Sequence, residues 1–345
     1  MPAQQTIASP GRKRRTDLDL VCGIMIIHMI VGHIAQWADV KYHGDTLLFF
    51  FMPWFFYKSG MFFKKNEDWQ AQLKKDARHL LIPLLSFSLI GQLFLWIHLV
   101  ASGDMNWLHY VSFPKWLVLC GSIPANLPLW FLCSLFIVKT AYNVVAGRIN
   151  DYLLVVVAVT VAFVFHLYDI DTPCYLANGT LGLVFYILGS KLRELQYGKY
   201  IFIAALVIYA ISLAYPSNIG MFNNSLLSGY YLAAIVCSLA GILVLNKASK
   251  ILCSNNIMYN ALIVRCITRI GGGSMNYYAT HWVLLMAVKI VYIDILGNDT
   301  GMVYFWIQIA AAACILPLLS HVIDNSRVLQ KYLLGKNYEH NQDRH

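Results

Sequence analysis

The stretch LDLVCGIMIIHMIVGHIAQW, residues 18–37, decides the fold. A helix needs roughly 20 mostly apolar residues to cross the hydrocarbon of a bilayer. This run has that length, with one carboxylate, Asp19, near its start and two histidines, His28 and His33, further along. Arg12, Lys13, Arg14 and Arg15 precede it, and no small-residue cleavage site follows. It therefore reads as an uncleaved first span that starts in the cytoplasm. Nine further apolar runs extend the pattern, at 46–63, 80–101, 127–146, 151–168, 176–190, 200–215, 228–246, 275–296 and 302–322. The semi-polar stretch 104–124 holds Trp107, Tyr110 and Trp116 and reads as an interfacial segment outside the membrane.

Composition supports a lipid-embedded chain. Charged residues are 12% of the 345 and hydrophobic residues 59%, with a mean hydropathy of +0.58. So few charges cannot cover a water-facing surface of this size. The net charge of +9 does not indicate nucleic-acid binding, because the basic residues sit in short loops where they set topology. Lys64, Lys65, Lys74, Lys75 and Arg78 follow the second run, Arg148 the fourth, and Lys191, Arg193 and Lys199 the sixth. Lys247, Lys250, Arg265 and Arg269 follow the eighth, and Arg327, Lys331 and Lys336 the tenth. The alternate loops hold Lys41 and Lys115 and no other Lys or Arg. The expectation is an all-α polytopic membrane protein with about ten transmembrane helices and cytoplasmic N and C termini. Residues 1–17 form a basic tail, 18–322 one membrane domain, and 323–345 a second cytoplasmic tail. The eight cysteines contain no CxxC pair and most lie in apolar runs, so neither a disulfide framework nor a metal site is expected.

Polar groups inside lipid are costly and are functional candidates by default. At about 100° per residue, Cys22 and His33 share a face of the first helix, Asp19 lies within about 40° of it, and His28 points about 140° away from His33. The Asp19–His33 face is expected to look into the bundle. A neutral His33 can take a proton from a hydroxyl near neutral pH; it can equally be a structural group satisfied by a neighbouring helix. Ser274, Tyr277, Tyr278 and His281, three and four residues apart, form one stripe of the ninth span, either a ligand wall or a helix seam. Lys58, Lys139 and Lys289 lie inside spans, and the latter two need interior partners. The cluster Lys74, Lys75 and Arg78 suffices as a topology signal, or it binds the phosphates of an anionic cofactor. Few carboxylates lie in the spans, which weighs against an ion-coupled transporter.

Five of these pieces together resemble the acyltransferase 3 family of bacterial membrane acyltransferases, and most closely its fucose 4-O-acetylase-like branch. They are Leu18-Asp19-Leu20-Val21-Cys22-Gly23 with His33 ten residues on; the aromatic run 50–58 ending in Ser59-Gly60; Arg78 ahead of Leu81-Ile82-Pro83; Pro128-Leu129-Trp130-Phe131-Leu132; and Gly273-Ser274 through Tyr277-Tyr278 to His281. Where the family usually has Arg or Lys, eleven residues before the histidine, this chain has Cys22; Lys58 and Lys139 are candidate substitutes for that cation.

The resemblance implies an O-acyltransferase of the bacterial inner membrane. It moves an acyl group, most often acetyl, from cytoplasmic acyl-CoA (acetyl-CoA as co-substrate, no metal) to a hydroxyl of a surface polysaccharide or lipid-linked sugar. His33 is then the general base, with Asp19 on its face. Lys74, Lys75, Arg78, Ser59, Ser274 and His281 face the acyl-CoA, and Trp130 and Tyr277 the carbohydrate. The partners are the acceptor and the bilayer, with no nucleic acid, and homo-oligomerisation is left open. The alternative activity is a transporter or flippase for a glycan or lipid precursor, although no internal repeat of the kind transporters use is visible.

Overall fold

The computed structural model describes residues 14–66, 68–103, 111–169, 173–193 and 198–336. Arg12, Lys13, Trp107, Tyr110 and parts of both tails lie outside these. The described chain is almost entirely helical. In order it runs α1 (Thr16–Ala38), α2 (Gly44–Leu47), α3 (Phe51–Met61), α4 (Trp69–Ser102), α5 (Phe113–Cys120) and a 3-10 turn (Pro124–Leu129). There follow α6 (Trp130–Val145), α7 (Asp151–Leu167), α8 (Cys174–Leu192) and α9 (Lys199–Ala214). A hairpin of β1 (Asn218–Gly220) and β2 (Ser225–Ser228) leads into α10 (Tyr231–Ser254), α11 (Asn256–Asn260) and α12 (Leu262–Gly272). The chain continues through α13 (Ser274–Lys289), a π-turn (Ile290–Ile295), α14 (Met302–Asn325) and α15 (Arg327–Leu334).

A helix stands in each expected apolar run. Among the described residues, six helical segments are long and apolar enough to cross a membrane by length and composition, and α7 and α9 are shorter apolar helices. The chain is an all-α integral membrane protein.

Three runs differ from their expected form. The run 46–63 is not one helix, because α2 stops at Leu47 and α3 begins only at Phe51. Pro53 suits the restart: it lacks a backbone N–H and sits in the first turn of α3, where that donor has no helical acceptor. The run 80–101 is the distal part of a longer helix, α4, of 34 residues, about 51 Å at 1.5 Å per residue. Asp68 caps it by accepting from the Ala71 N–H at 3.0 Å. In the run 228–246 the helix begins at Tyr231, because the preceding residues pair as the hairpin.

Glycines set the closest helix contacts. A β-carbon at Gly23 would lie 2.0 Å from the Ile267 carbonyl oxygen, and one at Gly271 1.8 Å from that of Asp19, so α1 and α12 touch backbone to backbone. Gly60 of α3 meets the Tyr186 carbonyl of α8 in the same way, and Gly189 of α8 meets that of Tyr57. Small residues let backbones approach where lipid supplies no hydrophobic drive.

The contacts sort the loops into two ends. At the basic end, Arg193 donates to the Phe63 carbonyl at 2.8 Å, the Asn66 N–H donates to Asn143 Oδ1 at 3.1 Å, and Ser249 donates to the Asp17 carbonyl at 2.6 Å. Asp76 is buried there and pairs with Lys139 at 2.5 Å, while Gln72 donates to its other oxygen at 2.8 Å. Lys139 thus has its interior partner, from a carboxylate that sits just ahead of the expected third span. At the hairpin end, Tyr209 donates to the Leu47 carbonyl at 2.7 Å, and Asn224 Nδ2 donates to that of Ala162 at 2.7 Å.

The reciprocal contacts of Gly60 and Gly189 predict that Gly60→Val or Gly189→Val lowers the melting temperature of the purified protein, each by overpacking worth ~1–3 kcal/mol. An unchanged melting curve contradicts the close α3–α8 contact.

Candidate functional site

A cavity of about 520 Å³ lies towards the hairpin end. The second half of α1 forms one wall with His28, Met29, Gly32, His33 and Gln36; Asp45 and Phe49 close one side. Phe51 and Met52 of α3, Leu127, Pro128 and Trp130, and Tyr278 and Trp282 of α13 complete the wall, while residues 218–222 of the hairpin roof it. Those wall residues of α1 span an arc of about 140°. His28 and His33 therefore line the same cavity, although a narrow-face reading of the helix sends His28 elsewhere.

His33 is held but accessible. Its ring stacks on His281 with centroids 5.4 Å apart and 20° between planes, and it meets Trp282 at right angles with centroids 5.1 Å apart. Gln36, one turn on, shares a side-chain hydrogen bond with it. His281 is fully buried, and its Nδ1 lies 2.7 Å from the Tyr278 carbonyl oxygen. A carbonyl only accepts, so Nδ1 carries the proton, and in the neutral ring Nε2 is then an unprotonated nitrogen. That Nε2 has no hydrogen-bond partner among the described residues. His281 thus braces His33 from behind through ring contact.

A second, smaller cavity of about 80 Å³ is lined by Ile26, Met52, Phe55, Phe131, Leu132, Ser274, Met275 and Tyr278. The two cavities share Met52 and Tyr278 as walls. Tyr278 is fixed there by a hydrogen bond from its hydroxyl to the Pro128 carbonyl. Asn126 anchors the 3-10 turn by donating to the Ala279 carbonyl at 3.1 Å. Because Ser274 opens α13 and His281 lies two turns on, the pair of cavities runs from the start of that helix towards His33.

The structure brings His33 and His281 together, sets Trp130 on the wall of the larger cavity and Ser274 on that of the smaller, and places the other candidates outside both cavities. Asp19 pairs with Arg14 at 2.5 Å at the basic end. It is fourteen residues from His33, about 21 Å along the helix, so the two do not form a catalytic pair. Tyr277 faces the other way, towards Ser320 and Asp324 of α14. There Asn276 donates to Asp324 at 3.0 Å and to the Ser320 hydroxyl at 3.1 Å. Its neighbour Tyr278 is the cavity residue, because the face that packs on α14 lies about 100° from it.

Lys74, Lys75 and Arg78 are exposed on the first turns of α4 and line neither cavity. The backbone of Arg78 is covered by Gly335, just after α15. Ser59 is half-buried near the end of α3, again outside both cavities. Cys22 is fully buried. Of its two candidate substitutes, Lys139 is committed to Asp76, and Lys58 lies with Nζ 5.3 Å from the Trp54 ring centroid. Sequence reasoning missed Asp45 and the hairpin as site elements. The one signal for Asp45 was its place one residue ahead of the run 46–63, where an acid close to lipid is costly.

A bundle of apolar helices enclosing a cavity lined by His28 and His33 defines an integral membrane protein with a polar site inside it. The model of a family described as an acyltransferase domain matches residues 15–322. The chain belongs to this family, the acyltransferase 3 family, and is a membrane acyltransferase in the general sense that membership carries. No curated protein and no solved structure matches it.

Since an exposed ion pair is worth less than about 1 kcal/mol, Asp19→Asn is expected to change acyltransferase activity in membranes by less than about five-fold. A loss as deep as that of His33→Ala contradicts the separation seen here.

Proposed function

We propose that this protein is an O-acyltransferase of the bacterial cytoplasmic membrane, of the fucose 4-O-acetylase-like kind. It crosses the bilayer ten times with both termini in the cytoplasm. It moves an acetyl group from cytoplasmic acetyl-CoA to a hydroxyl of a surface polysaccharide or lipid-linked carbohydrate.

The observation that carries this reading is the stacked pair His33–His281 at one end of two adjoining cavities whose other end opens beside Ser274. The basic loops gather at the Ser274 end, where anionic phosphates of the donor are attracted. The thioester arm enters past Ser274 and between Met52 and Tyr278. The acceptor occupies the larger cavity, with its hydroxyl at His33. There the imidazole takes the hydroxyl proton as the oxygen attacks the thioester carbonyl. The carbon–sulfur bond breaks, and the proton passes to the departing thiolate. Trp130 offers an apolar face to a sugar ring, the usual complement of a pyranose C–H surface.

General-base catalysis contributes about 10²–10⁴-fold. His33→Ala is therefore expected to abolish O-acetyl signals in the NMR spectrum of surface polysaccharide while the variant remains in the membrane at normal level. Deleting the gene has the same effect. Acetylation that persists in the deletion overturns the O-acetyl reading.

A further inference from the structure

The segment between α1 and α3 folds back over the second half of α1. Asp39 ends α1 in the left-handed conformation, with φ 56°, and its N–H closes on the Ala35 and Gln36 carbonyls. Gly44 makes the return possible, and Gly32 lies beside it in ordinary contact. A β-carbon at Gly44 would lie 2.2 Å from the Tyr42 hydroxyl oxygen, and one at Gly32 would meet the Tyr42 ring at 3.8 Å and Asp45 Oδ1 at 3.9 Å. Tyr42 and Asp45 are thereby laid against His28. His28 Nδ1 lies 2.9 Å from the Tyr42 hydroxyl, Nε2 lies 3.5 Å from Asp45 Oδ1, and Phe51 meets the ring edge-on at 5.0 Å.

His28 is 3% exposed, whereas the Asp45 side chain is 62% exposed at the cavity wall. The buried imidazole thus sits beside a carboxylate that is exposed at the cavity wall. Among the described residues lining this cavity Asp45 is the only carboxylate, and none is Lys or Arg.

We propose that Asp45, oriented by His28, anchors the acceptor, and that the sugar unit bound beside His33 carries no negative charge. The proposal rests on the acyl-transfer reading for the acceptor's being a carbohydrate. A carboxylate only accepts hydrogen bonds, through two oxygens. It therefore suits the paired hydroxyls of a neutral pyranose, whose apolar faces meet Trp130 and Phe49. A uronate or other acidic sugar brings a like charge into the same space, with no Lys or Arg among the described lining residues to offset it. Tyr42 fixes the other side of His28, so the imidazole cannot turn away and release Asp45.

Saturation-transfer NMR on the full chain in nanodiscs, with methyl glucopyranoside and methyl glucopyranosiduronate as probes, tests this without needing acyl transfer. The wild type is expected to bind the neutral glycoside at least about ten-fold more tightly than the uronate, because like charges brought together cost several kcal/mol. Asp45→Asn should weaken neutral binding and remove the discrimination, and Asp45→Lys should reverse it, which a merely structural role for Asp45 does not do. Equal binding of both probes, binding of neither, or a preference that survives Asp45→Lys overturns the proposal. If the neutral preference follows Asp45 while acetyl-CoA is never consumed, the anchor stands and the acyl-transfer reading falls.

Discussion

The backbone contact between Gly23 of α1 and Ile267 of α12, with its counterpart between Gly271 and Asp19, is the constraint on which the rest depends. The two backbones meet so closely that a β-carbon at either glycine would collide with the facing carbonyl, so the contact fixes the register of α1 against α12. Two glycines facing two carbonyls lock the first half of α1 in place. The second half, rigidly continuous with it, projects His28 and His33 into the cavity. Because α12 runs straight into α13 through Gly273, the same contact also governs where His281 meets His33. One close approach near the basic end thus registers both histidine-bearing helices at the other end.

From that registration the site follows by simple geometry. α13 presents successive turns to two adjoining cavities: Ser274 and Tyr278 line the smaller, Tyr278 and Trp282 the larger, and His281 stands behind His33. Met52 of α3 completes the narrow point with Tyr278. The position of Met52 is set in turn by the mutual glycine contacts of α3 with α8. A flexible thioether at the constriction yields more readily than a β-branched side chain.

Much of this was legible in the sequence, because apolar length and basic-loop alternation are strong signals in membrane chains. Every expected run contains a helix; His33 and His281 lie ring to ring, while Trp130 and Ser274 line the larger and the smaller cavity respectively. What failed did so for identifiable reasons. The stretch 46–63 is uniformly apolar, so hydropathy conceals the break ahead of Phe51, which Pro53 marks. Tyr277 and Tyr278 are adjacent and chemically alike, and only packing on α14 decides which one faces the cavity. The distance from Asp19 to His33 follows from helix rise alone, whereas a shared helix face suggests a nearness that the rise denies. The hairpin roof and the His28–Asp45 contact join distant parts of the chain or depend on a loop that doubles back, and no local periodicity encodes them.

The most direct test is a structure of the protein with a non-transferable thioether analogue of acetyl-CoA. The account predicts the nucleotide at the basic end, the arm between Met52 and Tyr278, and the acetyl carbon in the larger cavity with room for a hydroxyl oxygen about 3–3.5 Å away, held at His33. An analogue whose acetyl group lies outside this cavity, or whose arm takes a route that bypasses the Met52–Tyr278 constriction, contradicts it.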